Sequence, residues 1–192
     1  MSDANYKIAI IDCDLIGFDL PLVNTIRRKI ANKIGAKYSH ITVACTHTHN
    51  GPATITNSLG GPHDILPRPG EIKKLDSYIS NLVNKLVEVA AEANKALKPA
   101  RIGSGIGQSQ VNINREELMS DGRIFVGRNH KGVTDHSVDV LRVDNLDGTP
   151  IAIICCFAAH PVVMGMDSFL LGPDYPGVVR KVIEQTVGGT CL

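Results

Sequence analysis

Tryptophan is absent from this chain and aromatic residues make up only 4% of it. The ring platforms on which single-stranded nucleic acids stack are therefore poorly supplied. Charge of either sign is not in surplus: Lys and Arg number 20 against 19 Asp and Glu, and no basic cluster marks a track for a phosphate backbone. Both absences argue against a nucleic-acid partner. Long apolar runs are missing too. The longest, Pro150 to Met166, is broken by His160 and Pro161 and falls short of the roughly 20 residues that span a bilayer, so no transmembrane segment is expected. The N-terminus lacks the basic start and apolar core of a secretory signal, and the expected location is cytoplasmic. The five cysteines show no C-x-x-C spacing, which fits reduced thiols better than a disulfide scaffold or a structural zinc site. Cys155 and Cys156 read as small buried strand residues. There is no P-loop and no G-x-S-x-G elbow, and the G-x-G-x-G of Gly103 to Gly107 departs from the dinucleotide fingerprint.

What is present reads as a mixed α/β protein. At 192 residues the chain has room for one domain with a real core. "KIAIIDCD", Lys7 to Asp14, is a short isoleucine-rich run of the kind that makes a buried strand. A helix follows, with Asp19 as cap, Pro21 in the first turn, Val23, Ile26, Ile30 and Ile34 on one face, and Gly35 as the stop. "HITVACTHTH" supplies a second buried strand, so the chain opens with a β-α-β unit and a parallel crossover. A loop rich in Gly, Pro, Asn and Ser covers Asn50 to Gly70, and Glu71 to Lys98 holds a helical apolar stripe expected to pack across the sheet. "ARIGSGIGQSQVNI" reads as a glycine-rich strand. "SVDVLRVDNLDGTPIAIICCFAAHP" reads as a hairpin around an Asn-Leu-Asp-Gly turn. Val178 to Val187 predicts a helix, and "TCL" opens another strand where the sequence stops, which suggests a fragment of something larger.

Three histidines carry the chemistry. His47 and His49 follow a strand and project to the same side if the extended conformation persists through Thr48. His160 ends another strand, and ligands in open α/β sheets collect at carboxyl ends of strands. Imidazole is a good zinc ligand, but a catalytic zinc needs about three protein ligands and an open position. The residue types leave two accounts open: a metal site, or histidines that merely order a loop in a small-molecule binding domain. His40, His63, His130 and His136 read as surface residues, His136 being the leading exception. Cys45 as a nucleophile is disfavoured, because an apolar strand gives no reason for a lowered thiol pKa. An amidohydrolase barrel, whose H-x-H also follows a strand, needs eight β-α units, and too few helices are present.

"IAIIDCDLIGF", "ITVACTHTHNGPA", "VNINRE", "VDVLRVDNLDGTPIAIICCFAAHPVVM" and "GPDYPG" occur in one order along most of the chain. In these pieces the sequence resembles the neutral/alkaline, non-lysosomal ceramidases, and more closely their short bacterial relatives. The resemblance implies a zinc-dependent hydrolase of an amide bond whose substrate is a small, possibly lipid-like amide. It implies His47 and His160 as metal ligands, with His49 as a catalytic residue beside the metal. It places Arg115, with Asn114 next to it, on the substrate. The glutamate and tyrosine that complete the family's zinc site are implied to lie beyond Leu192, so this chain alone is expected to be a poor catalyst.

Overall fold

The first strand pairs in parallel with the second, as a β-α-β start requires: β1 (Ala9–Cys13) lies beside β2 (Ile41–Cys45), with Ile11 opposite Val43 and Cys13 opposite Cys45. This is a computed structural model, and it describes residue 1 and residues 6–55, 69–165 and 167–192. The crossover helix α1 (Leu20–Ile34) starts where the Asp19 side chain accepts the Leu22 N–H at 3.0 Å, with Pro21 in its first turn. It stops at Gly35, whose φ of 67° is the left-handed conformation that glycine adopts without strain. Lys7 donates its ammonium to the Ile34 carbonyl at 2.7 Å, placing a cation at the negative end of the helix. A short 3₁₀ turn, Tyr38–His40, leads into β2. The long α2 (Pro69–Lys95) packs on α1 and β1. His63 and most of the expected loop lie outside the described residues.

The remaining elements are strands and one helix. β3 (Ala100–Gln108), β6 (Ser137–Asn145), β7 (Pro150–Phe157) and β8 (Thr190–Cys191) form a mixed sheet in the order β3-β6-β7-β8, with only the β7–β8 pair parallel. The β6–β7 hairpin turns through Gly148 at φ 89°, at the Asp-Gly that the sequence offers there. β4 (Asn114–Leu118) and β5 (Ile124–Asn129) make a separate antiparallel hairpin. α3 runs Asp174–Thr186, four residues ahead of the expected start at Val178.

The chain forms two compact units, Met1–Lys98 with Pro161–Gly177, and Pro99–His160 with Val178–Leu192. The first holds the continuous apolar core: Ile11 and Cys13 from β1, Leu15 just after it, Ile26, Ile30, Ala31 and Ile34 from α1, Ile41 from β2, and Val83, Leu86 and Ala90 from α2. In the second, Ile153 and Cys191 are the buried hydrophobic residues among those described. Cys155 is half-buried and Cys156 exposed, against the expectation that both are buried. The reason is that successive β7 side chains alternate faces.

Candidate metal centre

In the first unit the candidate residues are His47 and His49. β2 ends at Cys45, so the strand alternation expected to align the two rings does not reach them. His47 instead sits at φ 65°, a left-handed conformation uncommon for a residue with a side chain. The bend brings the rings together by another route, with centroids 5.2 Å apart and planes at 84°. Backbone bonds fix the turn: Thr46 N–H donates to the Cys13 carbonyl and His47 N–H to the Leu15 carbonyl, each at 3.0 Å. The ring is fixed as well. Nδ1 of His47 lies 2.6 Å from the Ile16 carbonyl oxygen, and a carbonyl can only accept, so the ring donates from Nδ1.

The Gly-Pro segment after this pair is anchored from beneath. Thr48 is fully buried, donates its hydroxyl to the Gly172 carbonyl at 2.9 Å and accepts the Asn50 N–H. Asn50, also buried, donates its amide to the Ser168 and Leu170 carbonyls. Buried Thr54 donates to the Gly17 carbonyl at 2.6 Å. At Gly51 a Cβ would stand 2.8 Å from the Asp14 carbonyl oxygen, so only glycine allows the loop to pass this close. Asp174, buried at φ 54°, accepts from the Met164 N–H and the Tyr175 N–H and holds the following segment. Sequence reading passed over Thr48, Asn50, Thr54 and Asp174. Each has a backbone partner ten or more residues away, which no local motif announces.

In the second unit Arg115 and His160 meet directly, Nη2 of the guanidinium lying on Nδ1 of the imidazole in a short hydrogen bond. Both side chains are half-buried. Asn114 is engaged elsewhere: its amide donates to the Val133 carbonyl at 2.8 Å and accepts the Glu116 N–H at 2.8 Å. It shapes the loop beside Arg115. Asn112 joins three segments, donating to the Asp135 carbonyl at 2.6 Å and the Ala158 carbonyl at 2.8 Å while accepting from Nδ1–H of His136 at 2.8 Å. It thereby tethers the chain two residues before His160. His136 is thus a half-buried, hydrogen-bonded residue of this support, and His130 is exposed.

The thiols are unsuited to nucleophilic work. Burial, followed by the neighbouring Cys45, Asp12 and Asp14, pushes the Cys13 thiol up to about 12. Burial and then Asp12 push the Cys45 thiol up to about 11. A thiol needs the opposite shift to be reactive near neutrality.

A family model described as neutral/alkaline non-lysosomal ceramidase, N-terminal, matches residues 1–191. Neutral ceramidase B of Dictyostelium discoideum is 29% identical over 160 residues, covering 79% of this chain and 20% of that protein. Neutral ceramidase A of the same organism is 28% identical over 163 residues, covering 79% of this chain and 21% of that protein. Among solved structures, a ceramidase complexed with C2 superposes with a TM-score of 0.70 at 19% identity, over 96% of this chain and 29% of that one. A neutral ceramidase from Pseudomonas aeruginosa gives 0.64 at 18% identity, over 98% and 30%. These superpositions establish the mixed α/β fold. The chain spans about a fifth of the length of the curated relatives it matches.

Proposed function

Because the chain belongs to the neutral/alkaline non-lysosomal ceramidase family, we propose that it supplies part of the catalytic domain of a zinc-dependent amidase that acts on a lipid-like amide. In that role His47 and His160 are the ligands that the family resemblance implies, with His49 as the catalytic residue beside the metal. The observation that carries the proposal is the state of His47. Its Nδ1–H is spent on the Ile16 carbonyl, which is the arrangement that orients a ligating imidazole and presents Nε2 to a metal. The backbone is bent into the left-handed region at His47, and such strain is retained where the surrounding structure enforces it, often at functional sites.

Zinc, when bound, polarises the amide carbonyl and brings a water or hydroxyl towards ionisation near neutral pH. The chain's own residues do the rest. His49, exposed and edge-on to His47, holds or moves the proton that must pass between the attacking oxygen and the departing nitrogen. Arg115 orients a polar group of the substrate by charge-assisted hydrogen bonds, and Asn114 keeps the neighbouring loop in shape. Thr48 and Asn50 hold the floor under the histidine pair.

Zinc content and amidase turnover of the intact protein, measured for His47→Ala and His160→Ala, test the proposal. Each variant is expected to lose stoichiometric zinc and essentially all turnover, and a chelator is expected to reproduce the loss in the unsubstituted protein. Retention of both metal and turnover in the two variants would leave the alternative, a small-molecule binding domain with structural histidines.

A further inference from the structure

A polar recess of about 540 Å³ opens in the second unit, a size that holds a small organic molecule. One wall is the segment 110–113, and the other runs from Arg128, near the end of β5, to His136, just ahead of β6. Its charge is one-sided. The lining carries one guanidinium, Arg128, and two imidazoles, His130 and His136, and no carboxylate. Two carboxylates that flank these segments are engaged elsewhere. Glu117 accepts the backbone N–H of Arg128 at 2.6 Å, and Asp135 accepts the Ser137 hydroxyl and N–H, which hold its carboxyl below the usual range. Among the described residues the Arg128 guanidinium and the His130 ring have no hydrogen-bonding or charged partner.

The walls are fixed by the chain itself. Asn112 spends its amide hydrogens on the Asp135 and Ala158 carbonyls, so its Oδ1 accepts and the His136 ring donates from Nδ1. In the neutral His136 ring Nε2 is then an acceptor. Asn129 donates to the Glu116 carbonyl at 2.8 Å and accepts the Lys131 N–H at 3.1 Å. At Gly132 a Cβ would stand 2.6 Å from Cγ of Asn114 and 2.8 Å from Nδ2 of Asn129, so only glycine lets the loop close this tightly.

We propose that this recess binds a small, soluble phosphate monoester by its phosphate group. A guanidinium offers an oxyanion two parallel hydrogen bonds, and Arg128 is the side chain of the lining that can do so. His136 selects among oxyanions. Its neutral Nε2 needs a hydrogen from the ligand, and a phosphate monoester, whose second ionisation falls near pH ~6, supplies one. A carboxylate, ionised at neutral pH, has none to give. His130 is exposed at the rim and leaves room for the organic part of the ligand. Neither His47 nor His160 takes part, so the recess keeps this role whatever the metal centre does.

The test titrates the full chain with glycerol 3-phosphate and, separately, with acetate, at about pH 6.5, where a phosphate monoester keeps part of its hydrogen. Isothermal titration calorimetry reads affinity, and ¹⁵N NMR reads the histidine rings. Glycerol 3-phosphate is expected to saturate one site and to move the His136 and His130 resonances, with acetate at least about tenfold weaker. Arg128→Gln is expected to weaken glycerol 3-phosphate at least about tenfold, and Arg128→Lys, which keeps the charge without the planar fork, is expected to fall between. Arg128 is exposed, so both variants are expected to fold, and circular dichroism checks that they do. Undiminished affinity in Arg128→Gln, or no saturable binding at millimolar glycerol 3-phosphate, would overturn the site. Acetate binding as tightly as glycerol 3-phosphate would overturn the phosphate assignment. An Arg128-dependent response confined to phosphatidic acid vesicles would overturn the small-molecule ligand in favour of a lipid surface.

Discussion

At the scale of single residues, the paired thiols of β1 and β2 give the fold a defined weakness to alkali. Cys13 and Cys45 stand opposite each other in register, and burial keeps them protonated up to about 12 and about 11 respectively. In the unfolded chain a thiol ionises near ~8.5. Between those values the unfolded state binds fewer protons than the folded one, so stability falls as pH rises through that window and is intact below it. Denaturant midpoints are expected to drop between pH 8 and pH 10.5. A Cys13→Ala, Cys45→Ala double variant is expected to drop less, and equal slopes for the two proteins would contradict the assignment. The same burial is expected to leave these thiols slow towards iodoacetamide at pH 8, while exposed Cys156 reacts first. The residue scale is also where legibility was most uneven. That His47 and His160 stand just past the ends of strands was readable. The left-handed turn at His47 was not, because its causes are the Leu15 and Ile16 carbonyls, far away in sequence. Nor was the Arg115 contact, which depends on a β4–β5 pairing that lacks an apolar pattern.

At the scale of elements, the ones read correctly are those whose burial repeats. α1 buries Ile26, Ile30, Ala31 and Ile34, a helical stripe between a capping Asp19 and a stopping Gly35, so period, start and stop agree. Ile26 is 0% exposed, and Ile26→Ala is expected to cost about 2–5 kcal/mol through lost burial and an unfilled cavity. Asp19→Ala removes the acceptor for the Leu22 N–H and is expected to cost about 1 kcal/mol. Chemical denaturation of the two variants measures both, and a smaller loss for Ile26→Ala than for Asp19→Ala would contradict the packing described here. β4 and β5 were missed for the converse reason. Ile124, Phe125 and Val126 are all exposed, so no alternation of apolar and polar residues betrays a strand. A signal was nevertheless present: Ser120-Asp121-Gly122 carries an Asp-Gly turn, with Gly122 at φ 83° and its N–H on the Met119 carbonyl, and Asp-Gly between β-prone runs is a hairpin mark.

At the scale of the whole molecule, burial is distributed unequally between the two units, and that inequality has a measurable consequence. The continuous apolar cluster, from Ile11 to Ala90, belongs to the first unit. Every residue of β3 is exposed, and the second unit buries only Ile153 and Cys191 among its described hydrophobic residues. Apolar burial is the main favourable term in folding, and backbone bonds with few buried neighbours open locally at little cost. The two units were not separable in the sequence, because no linker composition marks Pro99 or Pro161 and the second of these falls inside the longest apolar run. Amide hydrogen exchange of this chain is therefore expected to show the slowest protection in β1, α1, β2 and the Ile79–Ala90 part of α2. β3 and the β4–β5 hairpin are expected to exchange at least about tenfold faster, which corresponds to ~1.4 kcal/mol of opening free energy. Uniform protection across both units would mean that they open together and that the Ile11 to Ala90 cluster does not set the local stability.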